Sequence, residues 1–256
     1  FGDGHYDFKR FQGYDQSTYI PPYLADVDPG MGETASDNRY VTISGADLLP
    51  DLHIGRLPAN DLAQATSMVD KIISYETHLP PANGWVSNIL FAADNPDGVA
   101  NFPAVSDELV NGYLPAGYTA DKVYLGQNYP LVADAKAALI NGINQGRLLV
   151  SYIGHASVQT WAFEKLFVLS DLSQLTNADR LAFFVPMTCL EGYFINPFSG
   201  SSALAESLVR LPSAGAIASW SPTGQGVATG HDILEKGLFE AIFQDNHSML
   251  GPATTQ

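Results

Sequence analysis

The chain has one cysteine, Cys189, so it can build neither an internal disulfide framework nor a zinc ribbon. Basic residues are also scarce. Twelve Lys and Arg stand against 27 Asp and Glu, a formal net charge of −15. A field of that sign repels phosphate backbones and anionic membrane surfaces, which argues against a nucleic-acid partner. No apolar run approaches the roughly 18 residues that a membrane span needs, and the start FGDGHYDFKR has no signal-peptide pattern. The chain opens on Phe1 rather than Met, which reads as a piece of a longer or processed protein, so location stays open. What is present is an ordinary globular composition: 256 residues, 46% hydrophobic and 15% charged, enough for one large domain or two closely packed subdomains.

The texture changes near residue 80. Before it, YIPPYLADVDPGMGETASDN is rich in turn residues and reads as long surface loops. A short strand is expected at DLHIGRL. A helix over about 60–78 follows, with Leu62, Ala65, Val69 and Ile72 at helical spacing and Asp61 with Gln64 as a capping box. Pro80-Pro81 stops it, and Ala82-Asn83-Gly84 is the expected boundary between a partial N-terminal subdomain, 1–82, and a second, larger subdomain, 83–256. From Trp85 onward, apolar runs of strand length (SNILFAA, DKVYLG, RLLVSYIG, LAFFVPMT, AGAIASW) alternate with helical patterns near 106–114, 133–144, 202–211 and 231–243. This is the pattern of a mostly parallel sheet with helices on both faces.

Ligands of open parallel sheets collect beyond the carboxyl ends of the strands. Asp94, His155, Cys189 and the stretch 219–225 all follow strands directly, so four strands deliver polar or reactive groups to one edge. A lone Cys is more often a small buried hydrophobe than a nucleophile. Cys189, however, sits where a buried strand gives way to Glu191-Gly192, a setting that favours a thiolate. His155 reads equally as a core histidine or as a base with access provided by Gly154 and a polar following loop. The other five histidines read as structural or surface residues.

The blocks RLLVSYIGHASVQTW and LAFFVPMTCLEGYF, each a hydrophobic strand ending in Gly-His or Cys, resemble the gingipain-like cysteine peptidases of the caspase-fold clan. SDNRY, DLHIGRLPA, the helix ending in KIISYE, and SALAESLVRLPSAGAIASWSPTG are similar to further segments of that family, so the resemblance runs over about 36–246.

The resemblance implies an α/β, three-layer caspase-like sandwich and peptide-bond hydrolysis through an acyl-enzyme, with Cys189 as nucleophile and His155 as proton carrier. It implies an oxyanion hole from the N–H groups of Ala156 and Cys189. Asp94 matches an acid that orients the histidine, and reads equally as a loop or N-cap residue. Asp107 matches approximately an acid that receives a basic P1 side chain, and reads also as a solvated first-turn acid. Trp220 or Gln225 is expected on the opposite wall of that pocket. No cofactor is expected for catalysis. The acidic loops YLADVDPGMGETASDN and AADNPDG carry carboxylates of the kind that bind structural calcium in related peptidases, without EF-hand spacing. The partner would be a protein or peptide substrate, and the resemblance places the enzyme outside the cell, secreted or on its surface. A transpeptidase with the same catalytic groups, and a noncatalytic binding or assembly module that keeps the fold, are the alternatives.

Overall fold

Near-continuous apolar strands demand cover on both faces, and the computed structural model provides it. It describes residues 1–78, 84–198 and 202–255, so the expected subdomain boundary at 82–84 falls largely outside the described residues. The chain order is β1 (Leu24–Asp28), β2 (Gly32–Ala35), α1 (Leu62–Thr77), β3 (Asn88–Ala93), α2 (Phe102–Gly112), β4 (Thr119–Tyr124), α3 (Val132–Gln145) and β5 (Leu149–Ile153). There follow β6 (Ala156–Ser157), β7 (Thr160–Trp161), β8 (Phe167–Val168), β9 (Ala182–Met187), α4 (Leu204–Arg210), β10 (Ala216–Ser219), α5 (Ala228–Phe243) and α6 (Leu250–Thr254).

Five strands form the central parallel sheet in the order β10-β9-β5-β3-β4. Alternation along each strand divides the core into two layers. Leu90, Ala92, Val150, Tyr152 and Phe184 pack with α3, α4 and the buried Trp161, whereas Ile89, Phe91, Ile153, Val185 and Met187 pack with α2, α5 and α6. The caspase-like three-layer α/β sandwich follows from this arrangement.

Pro186 in β9 limits the sheet on one side. Phe183 N–H donates to Leu148 towards β5, so alternation aims the next odd N–H the same way and the position of Pro186 towards β10. Trp220 N–H still reaches the Phe184 carbonyl at 2.9 Å. Proline has no N–H for the next rung, and the chain after Trp220 turns away over the end of β9.

Two expectations need correction. The turn-rich stretch contains an antiparallel hairpin, β1–β2, and residues 51–57 form no strand. That segment is held by its side chains and ends. The Arg56 guanidinium meets Asp37 at 2.7 Å and donates to the Gly2 and Ile20 carbonyls, and Gly2 N–H donates to the Leu57 carbonyl. The Asp61–Gln64 cap is present. Asp61 accepts from Gln64 N–H at 2.8 Å, and Gln64 Oε1 reaches back to Asn60 N–H.

Lys71 of α1 ends under the last turn of α4, where its ammonium donates to the carbonyls of Val209, Leu211 and Ala214 at 2.9–3.2 Å. A cation at a helix C-terminus satisfies orphan carbonyls and opposes the dipole. Arg210 binds Glu206 and Asp3 at 2.7 and 2.6 Å and also the Pro58 carbonyl, joining the N-terminal segment to the sheet layer.

Candidate active site

β5 and β9 are adjacent, parallel and in register, with Ile153 opposite Met187. His155 and Cys189 each lie two residues past that rung, so the strands carry them to matching positions at one sheet edge. Neighbouring strands run about 4.8 Å apart, which puts both residues in one neighbourhood.

The turn that presents His155 depends on Gly154, whose φ is +156°. A Cβ there would collide with Asp94 and with the Tyr152 ring, so the missing side chain makes room for the groups behind the histidine. The Tyr152 hydroxyl donates to the His155 carbonyl at 2.7 Å, and its ring stacks on Trp161 at 4.3 Å and 3°. His155 is thus fixed from below by aromatic packing.

Asp94 follows β3 directly, but its hydrogen bonds do not go to the ring. Its carboxylate accepts the backbone N–H of His155 at 3.1 Å and of Asn95 at 2.8 Å. Burial raises its pKa, offset in part by these two N–H groups. The ring belongs to Asp97, whose Oδ2 lies 2.7 Å from Nε2. Asp97 titrates below the usual carboxylate range because it accepts the Val99 N–H and then the His155 ring. With Nε2 so engaged, Nδ1 is the nitrogen left to carry a proton. Two aromatic rings flank the imidazole, buried Phe102 edge-on at 5.4 Å and exposed Phe163 at 4.9 Å.

Cys189 is partly exposed, and its Sγ is 3.8 Å from the Gly226 carbonyl. The next residue, Leu190, has a φ of +59°, an uncommon conformation for a branched side chain. It is held by the segment that leaves β10: Leu190 N–H donates to Gly224 and Gly192 N–H to Pro222, both at 2.9 Å.

The β1–β2 hairpin grips that same segment. Thr34 Oγ1 donates to the Thr223 carbonyl at 2.6 Å, Thr223 Oγ1 to Ala35 at 2.7 Å, and Gln225 N–H to the Asp28 carboxylate. Asp28 also accepts from Gly30 and Met31. Burial works against its ionisation, and the three N–H groups outweigh it and lower the pKa. His231, at the start of α5, is buried against Gly226, and burial lowers its pKa.

The N–H groups expected to face an oxyanion are those of Ala156 and Cys189. Ala162 N–H donates to the His155 carbonyl, so the 155/162 rung is hydrogen-bonded and the neighbouring Ala156/Trp161 rung is not. The Ala156 N–H therefore points away from its hairpin. Among the described residues, the Cys189 N–H donates to no other group.

The remaining expected site residues have partners of their own. Asp107 is on α2 at the far edge of the sheet, with its carboxylate 2.6 Å from Lys122 Nζ and 2.9 Å from the Tyr124 hydroxyl. Both partners are on β4, two strands from β5, so Asp107 is already ion-paired there. Gln225 serves the hairpin, with its side chain over Gly30. Trp220 lines a 1270 Å³ cavity with Gly192, Ser221 and Thr223, and neither His155 nor Cys189 borders that cavity. In the acidic loops, Asp28, Asp94 and Asp97 are bound to backbone N–H groups or His155. Among the described residues, no three His, Cys, Asp or Glu side chains come together as a metal's donors.

Two buried carboxyls had no signal in the sequence. Glu191 and Glu235 are both fully buried. Glu235 accepts from the Ser151 hydroxyl at 2.5 Å, and burial pushes it up to about 8. Glu191 is pushed up to about 7 by burial, and the nearby Ser221 hydroxyl and Trp161 indole fall short of hydrogen-bond geometry.

Comparison with known proteins agrees with this fold. A crystal structure of the Arg specific cysteine proteinase gingipain R superposes with a TM-score of 0.75 at 23% identity, covering 90% of this chain and 54% of that one. A complex of the pro- and mature domains of a Porphyromonas gingivalis gingipain gives 0.73 at 21%, with 90% and 55% covered. These likenesses bear on the fold. In sequence, Gingipain R2 of P. gingivalis is 29% identical over 203 residues, 78% of this chain and 26% of that protein. Lys-gingipain W83 of the same species is 25% identical over 225 residues, 82% and 12%. The chain thus spans about a quarter or less of the curated relatives it matches. The model of Peptidase family C25 matches residues 1–256, and with the sheet, the strand ends and the relatives in agreement, the chain belongs to Peptidase family C25.

Proposed function

We propose that this chain hydrolyses peptide bonds through Cys189, with His155 as proton carrier and Asp97 as the group that orients it. The observation that supports this most is the 2.7 Å contact of Asp97 with Nε2 on a histidine in register with the only cysteine. An Nε2–H donated to a carboxylate leaves Nδ1 unprotonated, the state in which it can accept the thiol proton.

In the forward step the Cys189 sulfur adds to the scissile carbonyl carbon, and His155 takes the thiol proton. The carbonyl oxygen becomes an oxyanion between the Ala156 and Cys189 N–H groups. As the C–N bond breaks, His155 gives its proton to the departing amine, and the acyl group stays on sulfur. Water, deprotonated by His155, then releases the acid and restores the thiol. Among these groups, general acid–base catalysis contributes about 10²- to 10⁴-fold.

A protein or peptide is the proposed substrate. The relatives' names include Arg- and Lys-specific enzymes, and a chain of net charge −15 suits cationic substrates. Secretion or display on the cell surface belongs to the same proposal. Cys189→Ala and His155→Ala should each abolish peptidase activity with the fold intact, and the double variant should be little worse than either. Full activity in Cys189→Ala would sink the reading. Products formed with an added amine acceptor would reveal transfer in place of hydrolysis.

A further inference from the structure

Phe163 is 80% exposed, yet the turn that carries it is one of the most firmly built in the site. Trp161, Ala162 and Leu166 on either side are buried, at 3% exposure or less. Ala162 N–H donates to His155, Lys165 N–H to Ala162 and Leu166 N–H to Trp161, at 2.8–3.2 Å. Ala162 and Lys165 both hold positive φ, 58° and 65°. The Asn95 amide, with its nitrogen turned to its acceptors, also ties Glu164 to Asp94, at 3.2 and 3.1 Å. The buried neighbours anchor the turn, so the core has no need of the Phe163 ring. The turn holds that ring 4.9 Å from the imidazole of His155, inclined by 35°.

From this we infer that Phe163 is the apolar wall of the subsite for the residue on the leaving-group side of the scissile bond, P1′, and that it selects large apolar side chains there. The inference rests on the peptidase reading. In that reaction His155 delivers a proton to the departing amine, so the P1′ nitrogen must come within hydrogen-bond reach of the imidazole. The side chain on the next carbon then lies beside whatever flanks the ring. On one side stands Phe102, 3% exposed and closed to a ligand. On the other is an aromatic face open to water. A Leu or Phe at P1′ covers that face and removes apolar surface from water on both partners, whereas Gly gains nothing from it.

The test uses peptides with Arg, Lys or Leu at P1, each paired as Leu or Gly at P1′. Their affinities for Cys189→Ala protein are measured by titration calorimetry, with and without Phe163→Ser, and their kcat/KM values are measured on the Cys189 enzyme. Leu should exceed Gly by about tenfold, equivalent to about 1.4 kcal/mol, and the ratio should fall close to unity in Phe163→Ser. The rate of Cys189 alkylation by iodoacetamide should not change, since the nucleophile and its base are untouched. Equal affinities of the Leu and Gly peptides with Phe163 present overturn the inference. So does an equal loss for both in Phe163→Ser, or slowed alkylation, because Phe163 would then only support His155. Failure of the Cys189 enzyme to cleave any peptide counts against the peptidase reading instead, and the affinities still judge Phe163.

Discussion

Asp97 Oδ2 lies 2.7 Å from His155 Nε2, whereas Asp94, three residues earlier, meets only the backbone N–H of the same histidine. Asp97→Asn presents either a neutral acceptor or a donor that favours the wrong tautomer, and should lower kcat by about 100-fold or more. Asp94→Asn should leave kcat within a few-fold and lower stability by about 1 kcal/mol, because one charged acceptor of two N–H groups becomes neutral. Steady-state kinetics and urea unfolding of the two variants separate these outcomes, and the reverse ranking would return the orienting role to Asp94.

Asp107 is already engaged by Lys122 and Tyr124. In Asp107→Asn, kcat/KM on matched peptides with Arg, Lys, Leu and Asp at P1 should keep the ranking of the parent. A basic preference that collapses in this variant would put Asp107 back in the specificity pocket.

Asp28 accepts three backbone N–H groups, two within the hairpin, from Gly30 and Met31, and one, from Gln225, on the segment beside Cys189. Asp28→Ala leaves these donors without their charged acceptor and should cost about 2 kcal/mol of stability, read as a lower urea midpoint at unchanged slope. Peptidase activity should fall with it, since the segment that steadies Leu190 and Gly192 is loosened. An unchanged midpoint would show that the hairpin does not clamp the site.

Glu235 keeps its proton in the folded chain up to about 8, whereas an unfolded glutamate loses it near 4.5. Its contribution to stability is therefore fully present below about pH 4.5 and is lost as the pH rises towards about 8. Stability of the parent should decline over that window, and Glu235→Gln should flatten the decline and gain relative to the parent at pH 8. Glu191, pushed up to about 7, acts in the same direction, so the slope should shrink without vanishing. Urea midpoints at pH 5, 6.5 and 8 decide it.

The parallel sheet and the strand ends at His155 and Cys189 were legible because both rest on local pattern: apolar runs of strand length followed abruptly by polar or reactive residues. The hairpin was not. β1 and β2 are short, with only Asp28, Thr34 and Ala35 buried, and their stability comes from Thr34 and Asp28 bonding to the distant segment 223–225, which no local period encodes. DLHIGRL alternates like a strand, yet Leu52 and Ile54 stay exposed and Arg56 directs the bonding. The choice between Asp94 and Asp97 turned on a bend of three residues. Spacing brings both acids to the right loop but does not say which carboxylate reaches the ring. Burial of Glu191 and Glu235 could not be read either, since a lone acid in a sequence looks solvated until a helix or turn packs it inward.

The hairpin also bears on the order in which the protein assembles. Its bond from Thr34 to Thr223 spans 189 residues of chain, one of the most non-local contacts in the molecule. Contacts of that range form late in folding, after the locally connected sheet and helices have brought their ends together. On the ribosome the segment beside Cys189 emerges long after the hairpin that is to hold it, so the two cannot meet until the sheet between them exists. A partly made chain then has its cysteine and histidine but no settled segment beside them, and the surroundings of Cys189 become one of the last parts of the nascent chain to form.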